Sequence, residues 1–239
     1  MLVSGFAESR AALDVPRVYT SSVLPNLIVP TLTRYDLLAN LLGAIDFPVR
    51  HLLIINNGKE YPDYIRKPGA VERMTWLDMP ANLGVAGSWN LGIKSFPHDP
   101  VWFICSDDVT FGSGGLGVWF DQSGPDRFVT SDEWPFYQFF SVGENVVDKV
   151  GLWDESIFPA NFEDDDFEWR ARWAGFEPQR ISVPHHHVRQ GTVFHGSLAS
   201  ENARTYPHNE SYFRDKQARE DLSAGEWSLA RRRSLEWRT

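Results

Sequence analysis

Short apolar segments alternate with helical patterns through the first half of the chain. Four of these segments have the length and composition of buried strands: LIVPTLTR (27–34), HLLIINNG (51–58), RMTWLDM (73–79) and VWFICSDDV (101–109). The first strand is expected to break at Pro30. Apolar residues recur at helical spacing from Leu37 to Ile45, and a second helix is expected through Trp89 and Ile93. This alternation is typical of an α/β fold with a doubly wound, mostly parallel sheet.

Polar residues follow the end of each predicted strand. The four segments concerned are Pro30–Arg34, Asn56–Gly58, Asn82–Asn90 and Ser106–Asp108. Because ligands of doubly wound sheets bind at the carboxyl ends of the strands, we expect these segments to line one cleft. Asp107 and Asp108 offer the carboxylate oxygens that Mg²⁺ and Mn²⁺ prefer, and residues 82–90 offer backbone N–H groups at a helix start. Taken singly, a simple turn and an ordinary helix start remain open interpretations.

The second half of the chain has a different character. GSGGLG (112–117) is expected to be a flexible connection, and FVTSDEWPFYQFFSV (128–142) is rich in β-forming and aromatic residues. ISVPHHHV (181–188) is expected to form a further strand, and the tail from about residue 198 is polar and charged.

The segment FEDDDFEWRARWAGF (162–176) begins with four consecutive acids and continues as a helical pattern. Two acid-to-base pairs at i,i+4 spacing support the helix, Asp166 with Arg170 and Glu168 with Arg172. Gly175 is the expected end of this helix. Acids at a helix start also complement the helix dipole, so capping and solvation are one interpretation and a functional acid is the other.

Histidines cluster near the end of the predicted final strand. Side chains alternate across a strand, so His185 and His187 share a face while His186 points away. One of them, or His195, could join a carboxylate on a divalent metal; ordinary surface or core histidines are the alternative. A structural zinc site is disfavoured because such sites usually contain cysteines, and the single cysteine is Cys105.

Net charge and hydropathy disfavour nucleic-acid binding and membrane insertion. The net charge of −9 disfavours a broad surface for nucleic acid, although a local basic patch at Arg231–Arg233 could offset it. No apolar run approaches the roughly 20 residues that span a bilayer, and residues 1–20 lack a block of signal-peptide length. We therefore expect a soluble, cytoplasmic protein.

The order of these segments over residues 25–215 resembles the GT-A-fold inverting glycosyltransferases of family two. VPTLTR resembles the family's opening strand, NLGVAGSWNLGI its Asn-x-Gly segment, and SDDV its metal-binding DxD strand end. VDKVGLWDESIFPANFEDDDFEWRARWAGF resembles its acceptor-side block, and NESYFRDK (209–216) a tail element. The resemblance implies a Rossmann-like GT-A domain with a small antiparallel subregion on the acceptor side.

The resemblance also implies roles for individual residues. Asp108 would bind the Mn²⁺ or Mg²⁺ that bridges the nucleotide diphosphate, with His187 favoured over His185 to complete the metal site. Asp164 would be the general base that deprotonates the acceptor hydroxyl in a single inverting displacement. The residues implied in donor binding are Pro30, Thr31, Arg34, Asn57, Asn82, Gly87, Asn90, Asp107 and Glu163.

Two positions depart from the family pattern. Asn57 (or Asn56) replaces the acid that holds the nucleotide base. A UDP or dTDP donor is still favoured over others, but this replacement weakens the expectation. Ser106 stands where a full DxD motif has its first acid, which weakens the expectation of metal dependence.

The domain boundaries follow from the same resemblance. We expect an N-terminal extension over 1–24 and a glycosyltransferase domain over 25–197, with its nucleotide-sugar half at 25–110 and its acceptor half at 111–197. A C-terminal tail, 198–239, is expected to pack on this domain.

Alternatives remain open for the identity of the acceptor and for the function of the protein. The acceptor could be a glycan, a protein side chain or a modified nucleobase. Trp134, Phe136 and Tyr137 could stack on it or belong to the core. A catalytically inactive sugar- or nucleotide-binding module is the second hypothesis for function. A sugar nucleotidyltransferase is the third, although LIVPTLTR lacks the Gly-rich, Lys/Arg-bearing loop typical of that class.

Overall fold

The computed structural model describes residues 22–58, 62–188 and 196–225. Residues 1–21 of the predicted N-terminal extension lie outside these ranges, as do His195 and Arg231–Arg233. The strands within the described residues are β1 (Leu27–Thr31), β2 (Val49–Asn56), β3 (Val71–Asp78), β4 (Val101–Cys105), β5 (Val109–Phe111), β6 (Phe128–Ser131), β7 (Phe139–Gly143), β8 (Gln179–Ile181) and β9 (His185–His187). The helices are α1 (Tyr35–Gly43), α2 (Gly84–Ser95), α3 (Gly115–Gln122), α4 (Glu144–Val150), α5 (Glu163–Trp173) and α6 (Gly196–Ala218), and a short 3₁₀ turn spans Phe136–Gln138.

The strands form a large sheet of seven and a small sheet of two. The order in the large sheet is β3-β2-β1-β4-β7-β6-β8. Neighbours from β3 to β4 are parallel, β7 is antiparallel to β4 and to β6, and β8 is parallel to β6. β5 and β9 pair as a separate antiparallel ribbon. The predicted α/β class with a mostly parallel, doubly wound sheet is therefore confirmed.

Alternating side chains of the central strands bury apolar surface on both faces of the sheet. On β4, Phe103 and Cys105 contribute to the cluster with α1 and α3, whereas Trp102 and Ile104 contribute to the cluster with α2, α4 and α5. This is the period of two that a strand imposes on its side chains. Burial on both faces is why the central strands appear in the sequence as continuous apolar runs.

β1 continues through Pro30 to Thr31, so the predicted break at Pro30 is wrong. Pro30 is in register with Ile55 of β2, while the register between β1 and β4 consists of Ile28 opposite Ile104. Since that ladder does not reach Pro30, the missing proline N–H costs no hydrogen bond between β1 and β4.

Pro184 accounts for two further corrections. The single strand predicted around it is divided, because Ile181 ends β8 and His185 begins β9 in a different sheet. The glycine segment predicted as a flexible connection, 112–117, leads into α3 and forms its first residues from Gly115. Gly112 N–H donates to the Pro184 carbonyl at 2.7 Å, and a Cβ on Gly115 would lie 2.6 Å from that carbonyl oxygen. Glycine is required here for close approach of the backbone rather than for flexibility.

The acid-rich segment forms α5 as predicted. Asp166 and Arg170 make an ion pair at 2.9 Å in the interior, and Glu168 and Arg172 make one at 2.9 Å near the surface. Gly175 follows with a φ of +87°, the left-handed conformation that commonly ends a helix.

The beginning of the predicted tail is the 23-residue helix α6. This helix was not predicted from the polar, charged sequence, and Pro207 in its interior is a helix-breaking signal. Phe213 of α6 packs against Phe162 and Trp169, with ring centroids 6.1 and 6.3 Å apart. Among the described helices, none is long and apolar enough to cross a membrane.

Candidate active site

The turn between β4 and β5 carries the two predicted acids. Ser106 N–H donates to the Gln138 carbonyl at 2.9 Å, which ties this turn to the 3₁₀ turn ahead of β7. Asp107 and Asp108 follow, and both side chains are buried. Their position is therefore fixed by the pairing of β4 with β7 rather than by a free loop.

Asp107 is held from β1. The Thr31 hydroxyl donates to Asp107 Oδ2 at 2.6 Å. The pKa of Asp107 is raised to about 7, mainly by burial and also by the charge of Asp108, while the Thr31 hydrogen bond and the Arg34 charge oppose this shift. Arg34 itself pairs with Asp36 at 2.7 Å. The structure thus brings three predicted donor-binding residues together at the carboxyl end of β1 and β4.

Asp108 faces His187 across the β5–β9 ribbon. Val109 is in register with His187, and His187 Nε2 lies 3.2 Å from Asp108 Oδ1, with both side chains buried. Among the described residues, Asp108 Oδ1 has no hydrogen-bond partner, because the contact with His187 is close without being aligned. Two ligands at about 2.1 Å from one ion and at right angles are about 3 Å apart, so the pair fits a shared cation.

His185 occupies a different environment from His187. Its Nδ1 lies 2.9 Å from the Val183 carbonyl oxygen, and its ring stands edge-on to Phe139 at 5.2 Å. Within the described ranges, no group of three His, Cys, Asp or Glu side chains could hold a metal. A cation between Asp108 and His187 would take its other ligands from substrate phosphates and water, as Mg²⁺ commonly does.

The amides after β2 are engaged in bonds within the chain. Asn57 donates to Ser88 Oγ and accepts from Leu83 N–H, each at 2.9 Å, so it fastens the start of α2. Asn56 is fully buried and donates to Asp78 Oδ1 at 2.8 Å. Neither bond places an amide in the cleft for a nucleotide base.

Asp78 is a residue that the sequence analysis missed. It ends β3, beside the end of β2, and its side chain is exposed. Oδ1 accepts from Asn56 and from Trp76 Nε1, the latter at 2.7 Å. An acid at the end of RMTWLDM was the available signal, because the neighbouring strand ends were already expected to line the cleft.

The predicted loop 82–90 divides into a turn and a helix. Asn82 Oδ1 accepts from Gly84 N–H at 2.9 Å, and Gly84 has a φ of +74°. Gly87 lies on α2, where a Cβ would come 3.2 Å from the Cβ of Leu83. The tight turn into α2 therefore accounts for the small residues in this segment.

Asn90 lies in the frame of the site. Its side chain donates to the Trp153 carbonyl at 2.9 Å and to Glu155 Oε1 at 2.8 Å, and accepts from Trp153 N–H at 3.0 Å. Asn90 is 2% exposed. Its amide therefore joins α2 to the segment that leads into α5.

A second acid group occupies the start of α5. Asp164 is half-buried; burial, followed by the charge of Asp165, raises its pKa to about 6. Glu163 is buried, and burial followed by the charge of Asp164 raises its pKa well above the usual range. A carboxyl whose pKa is near 6 is mostly ionised at neutral pH yet is a stronger base than an ordinary aspartate.

The 3₁₀ turn lies between the two acid groups. Gln138 bonds to the turn that carries Asp107 and Asp108, while Tyr137 donates to Glu168 of α5 at 3.3 Å. The pKa of Tyr137 is raised well above its usual value. Burial is the largest cause, and the charges of Glu168 and Asp164 come next. The 3₁₀ turn therefore connects the turn that carries Asp107 and Asp108 to α5, the helix that begins with the second acid group.

The three aromatic residues predicted to stack on the acceptor or to belong to the core lie in different environments. Trp134 is 60% exposed, whereas Tyr137 is a core residue stacked on Trp89 at 6.3 Å. Phe136 is covered by the guanidinium of Arg180 at 3.5 Å. Trp134 is the one of the three that can offer an open ring face.

Comparisons with known proteins identify the fold of this chain. No family model matches the sequence, and the curated proteins give no match either. The crystal structure of S. aureus TarS is similar with a TM-score of 0.55 at 11% sequence identity, covering 90% of this chain and 42% of that chain. This chain thus spans less than half the length of TarS, and the likeness shows the GT-A fold.

Two Drosophila structures are also similar. One is a β1,4-galactosyltransferase 7 mutant in complex with manganese, UDP-Gal and xylobiose, at 14% identity, a TM-score of 0.49, and coverage of 70% of this chain and 71% of that chain. The other is the catalytic domain of β1,4-galactosyltransferase 7 with xylobiose, at 13% identity, a TM-score of 0.49, and coverage of 73% and 74%.

Proposed function

We propose that this protein is a metal-dependent inverting glycosyltransferase of family two, which moves one sugar from a nucleoside-diphosphate sugar to an acceptor hydroxyl. The observation that carries the proposal is two unlike acid groups connected by one 3₁₀ turn. Asp108 with His187 is suited to a cation, and Asp164 is suited to accept a proton. A nucleotide-sugar transferase needs both, because a diphosphate leaves as an acceptor hydroxyl loses its proton.

The donor side follows from the Asp108–His187 pair. A bound Mn²⁺ or Mg²⁺ would supply positive charge next to the departing diphosphate. Asp108 Oδ1 and His187 Nε2 would hold that ion. Asp107, fixed by Thr31 on one side and near Arg34 on the other, would contact the donor beside it.

The base of the nucleotide would contact Asp78, an exposed acid at the end of β3 and beside the end of β2. Asp78 Oδ1 already accepts from Asn56 and Trp76, so its position is set before a ligand binds. A carboxylate accepts hydrogen bonds and suits the N3–H of uracil or thymine, whereas cytosine offers an acceptor at N3. Asp78 is therefore compatible with a UDP- or dTDP-linked donor and disfavours a CDP-linked one.

Asp164 is the general base of the proposed reaction. The bond from the anomeric carbon to the diphosphate breaks as the acceptor oxygen bonds to that carbon from the opposite side. The hydroxyl proton passes to the Asp164 carboxylate. One displacement with no enzyme-bound intermediate inverts the anomeric configuration.

Asp164→Asn tests this assignment, because the amide keeps the shape of the side chain and cannot take a proton at neutral pH. Transfer is expected to fall by about 10²–10⁴-fold, the usual contribution of a general base, with donor affinity unchanged. Asp148→Asn is the control: it removes one exposed acid on α4 and should leave turnover unchanged. Near-normal turnover in Asp164→Asn would remove Asp164 as the base.

A further inference from the structure

α6 presents a stripe of polar side chains to the segment that leads into α5. Asn202, Asn209 and Lys216 are spaced seven residues apart, so they lie along one side of the helix. Their exposed fractions are 7%, 0% and 1%. Burying amides and an ammonium group is unfavourable unless each is bonded, and all three bond to residues between 154 and 166.

The two asparagines hold the loop ahead of α5. Asn209 Nδ2 donates to the carbonyl oxygens of Phe158 and Ala160, at 3.0 Å each. Asn202 Oδ1 accepts from Asn161 Nδ2. Asn161 and the residue after it have φ angles of 74° and 75°, a conformation that costs free energy for residues other than glycine. The bonds from α6 therefore support an unfavourable backbone immediately before Glu163.

Lys216 joins the loop to α5 itself. Its Nζ lies 2.7 Å from Asp154 Oδ2, 2.7 Å from Asp166 Oδ1 and 2.7 Å from the Ser223 carbonyl oxygen. Asp166 also pairs with Arg170 at 2.9 Å. The four charged side chains are fully buried, with two acids balanced by two bases, as a stable buried cluster requires.

The same segment is held from the donor side. Asn90 of α2 bonds to both the N–H and the carbonyl of Trp153, the residue before Asp154. The segment from 153 to 166 is therefore fixed between α2 and α6, with Asp164 near its end and two residues from Asp166. A displacement of α6 would be transmitted to the start of α5.

We propose that Asn202, Asn209 and Lys216 of α6 are positioning residues that fix the carboxyl of Asp164 at the acceptor. This inference rests on the proposed role of Asp164 as the base. None of the three touches a reacting atom; they act through the loop and through Asp166. Displacement of a catalytic group by about 1 Å can lower a rate by about 10²-fold, so small losses of anchoring are measurable in turnover.

Asn209→Ala is the direct test, because it removes two loop hydrogen bonds and no charge. We expect kcat to fall by about 10- to 100-fold with the dissociation constant of the donor nucleotide unchanged within twofold. Hydrogen–deuterium exchange of the segment 157–166 should accelerate, while exchange in β1 and β4 stays the same. Ser211→Ala, an exposed change on the same helix, is the matched control and should leave all three quantities unchanged.

Lys216 supplies a second pair of variants. Lys216→Met leaves two buried acids with one base and is expected to lower kcat more than Asn209→Ala, whereas Lys216→Arg restores the charge and should recover part of the rate. If Lys216→Met fails to fold, Lys216→Arg and Asn209→Ala still test whether α6 positions Asp164.

Three outcomes would overturn the inference. Unchanged exchange of the loop in Asn209→Ala would show that α6 does not hold it. Accelerated exchange with an unchanged kcat would show that anchoring does not reach Asp164. Wild-type protein that binds nucleotide sugars and transfers nothing would remove the proposed function, and the positioning role with it.

Discussion

Under the proposed function, neutralising Asp165 should make sugar transfer faster in acid. Burial is the main reason that the pKa of Asp164 is raised to about 6, and the charge of Asp165 is the next. Asp165 is exposed, and its backbone N–H donates to Asp164 Oδ1 at 3.0 Å. Asp165→Asn removes the repulsion and keeps the side-chain shape.

The size of the effect follows from Coulomb's law. Two unit charges about 4 Å apart with the full screening of bulk water interact by about 1 kcal/mol, which is just under one pKa unit and is the lower bound for this pair. With a pKa of about 6, about one tenth of Asp164 is ionised at pH 5. Lowering that pKa by just under one unit raises the ionised fraction to roughly four tenths, and therefore raises kcat/KM at pH 5 by about fourfold.

The assay is kcat/KM for sugar transfer between pH 4.5 and 8.5. The raised pKa predicts a profile that climbs through pH 6 as Asp164 loses its proton and then levels off. Asp165→Asn should move the climb to lower pH and leave the plateau unchanged, while Asp148→Asn should follow the wild type. A profile without a climb near pH 6, or one that Asp165→Asn does not move, would refute the electrostatic argument.

Two further predictions concern the metal pair and the packing of α2. His187→Ala should weaken Mn²⁺ affinity by about 10- to 100-fold in a titration, since an imidazole ligand is lost, while unchanged affinity would remove His187 from the metal site. Gly92→Ala should lower the free energy of unfolding by about 1–3 kcal/mol in urea, because its Cβ would lie 2.4 Å from Ile28 of β1. Gly43→Ala, where nothing lies within 4 Å of the new Cβ, is the control, and an equal loss there would contradict the packing argument.

The sequence predicted the parts of the fold that local periodicity encodes. The four parallel strands and the ion pairs of α5 each follow from spacing within one segment, and the structure confirms them. Convergence of the strand ends was also predictable, because parallel strands share one carboxyl edge. That is why Asp107 lies beside Thr31.

Contacts between distant segments were not predictable. The bond of Asn90 to Trp153, 63 positions away, and the bond of Asn57 to Ser88 could not be predicted from the spacing of residues within one segment. The choice between His185 and His187 depends on which residue of β9 lies opposite Val109. α6 was missed because Pro207 interrupts its pattern.

The most direct test of the central claim is thermal unfolding of the whole chain with a panel of nucleoside diphosphates and nucleotide sugars, each with and without Mn²⁺. A ligand at 100 times its dissociation constant stabilises by about 2.7 kcal/mol, which for a protein of this size raises Tm by roughly 5–10 °C. The proposed function predicts such a shift for a uridine or thymidine diphosphate, dependent on Mn²⁺, lost in Asp108→Asn and retained in Asp164→Asn. No shift with any nucleotide, or an equal shift in Asp108→Asn, would contradict it.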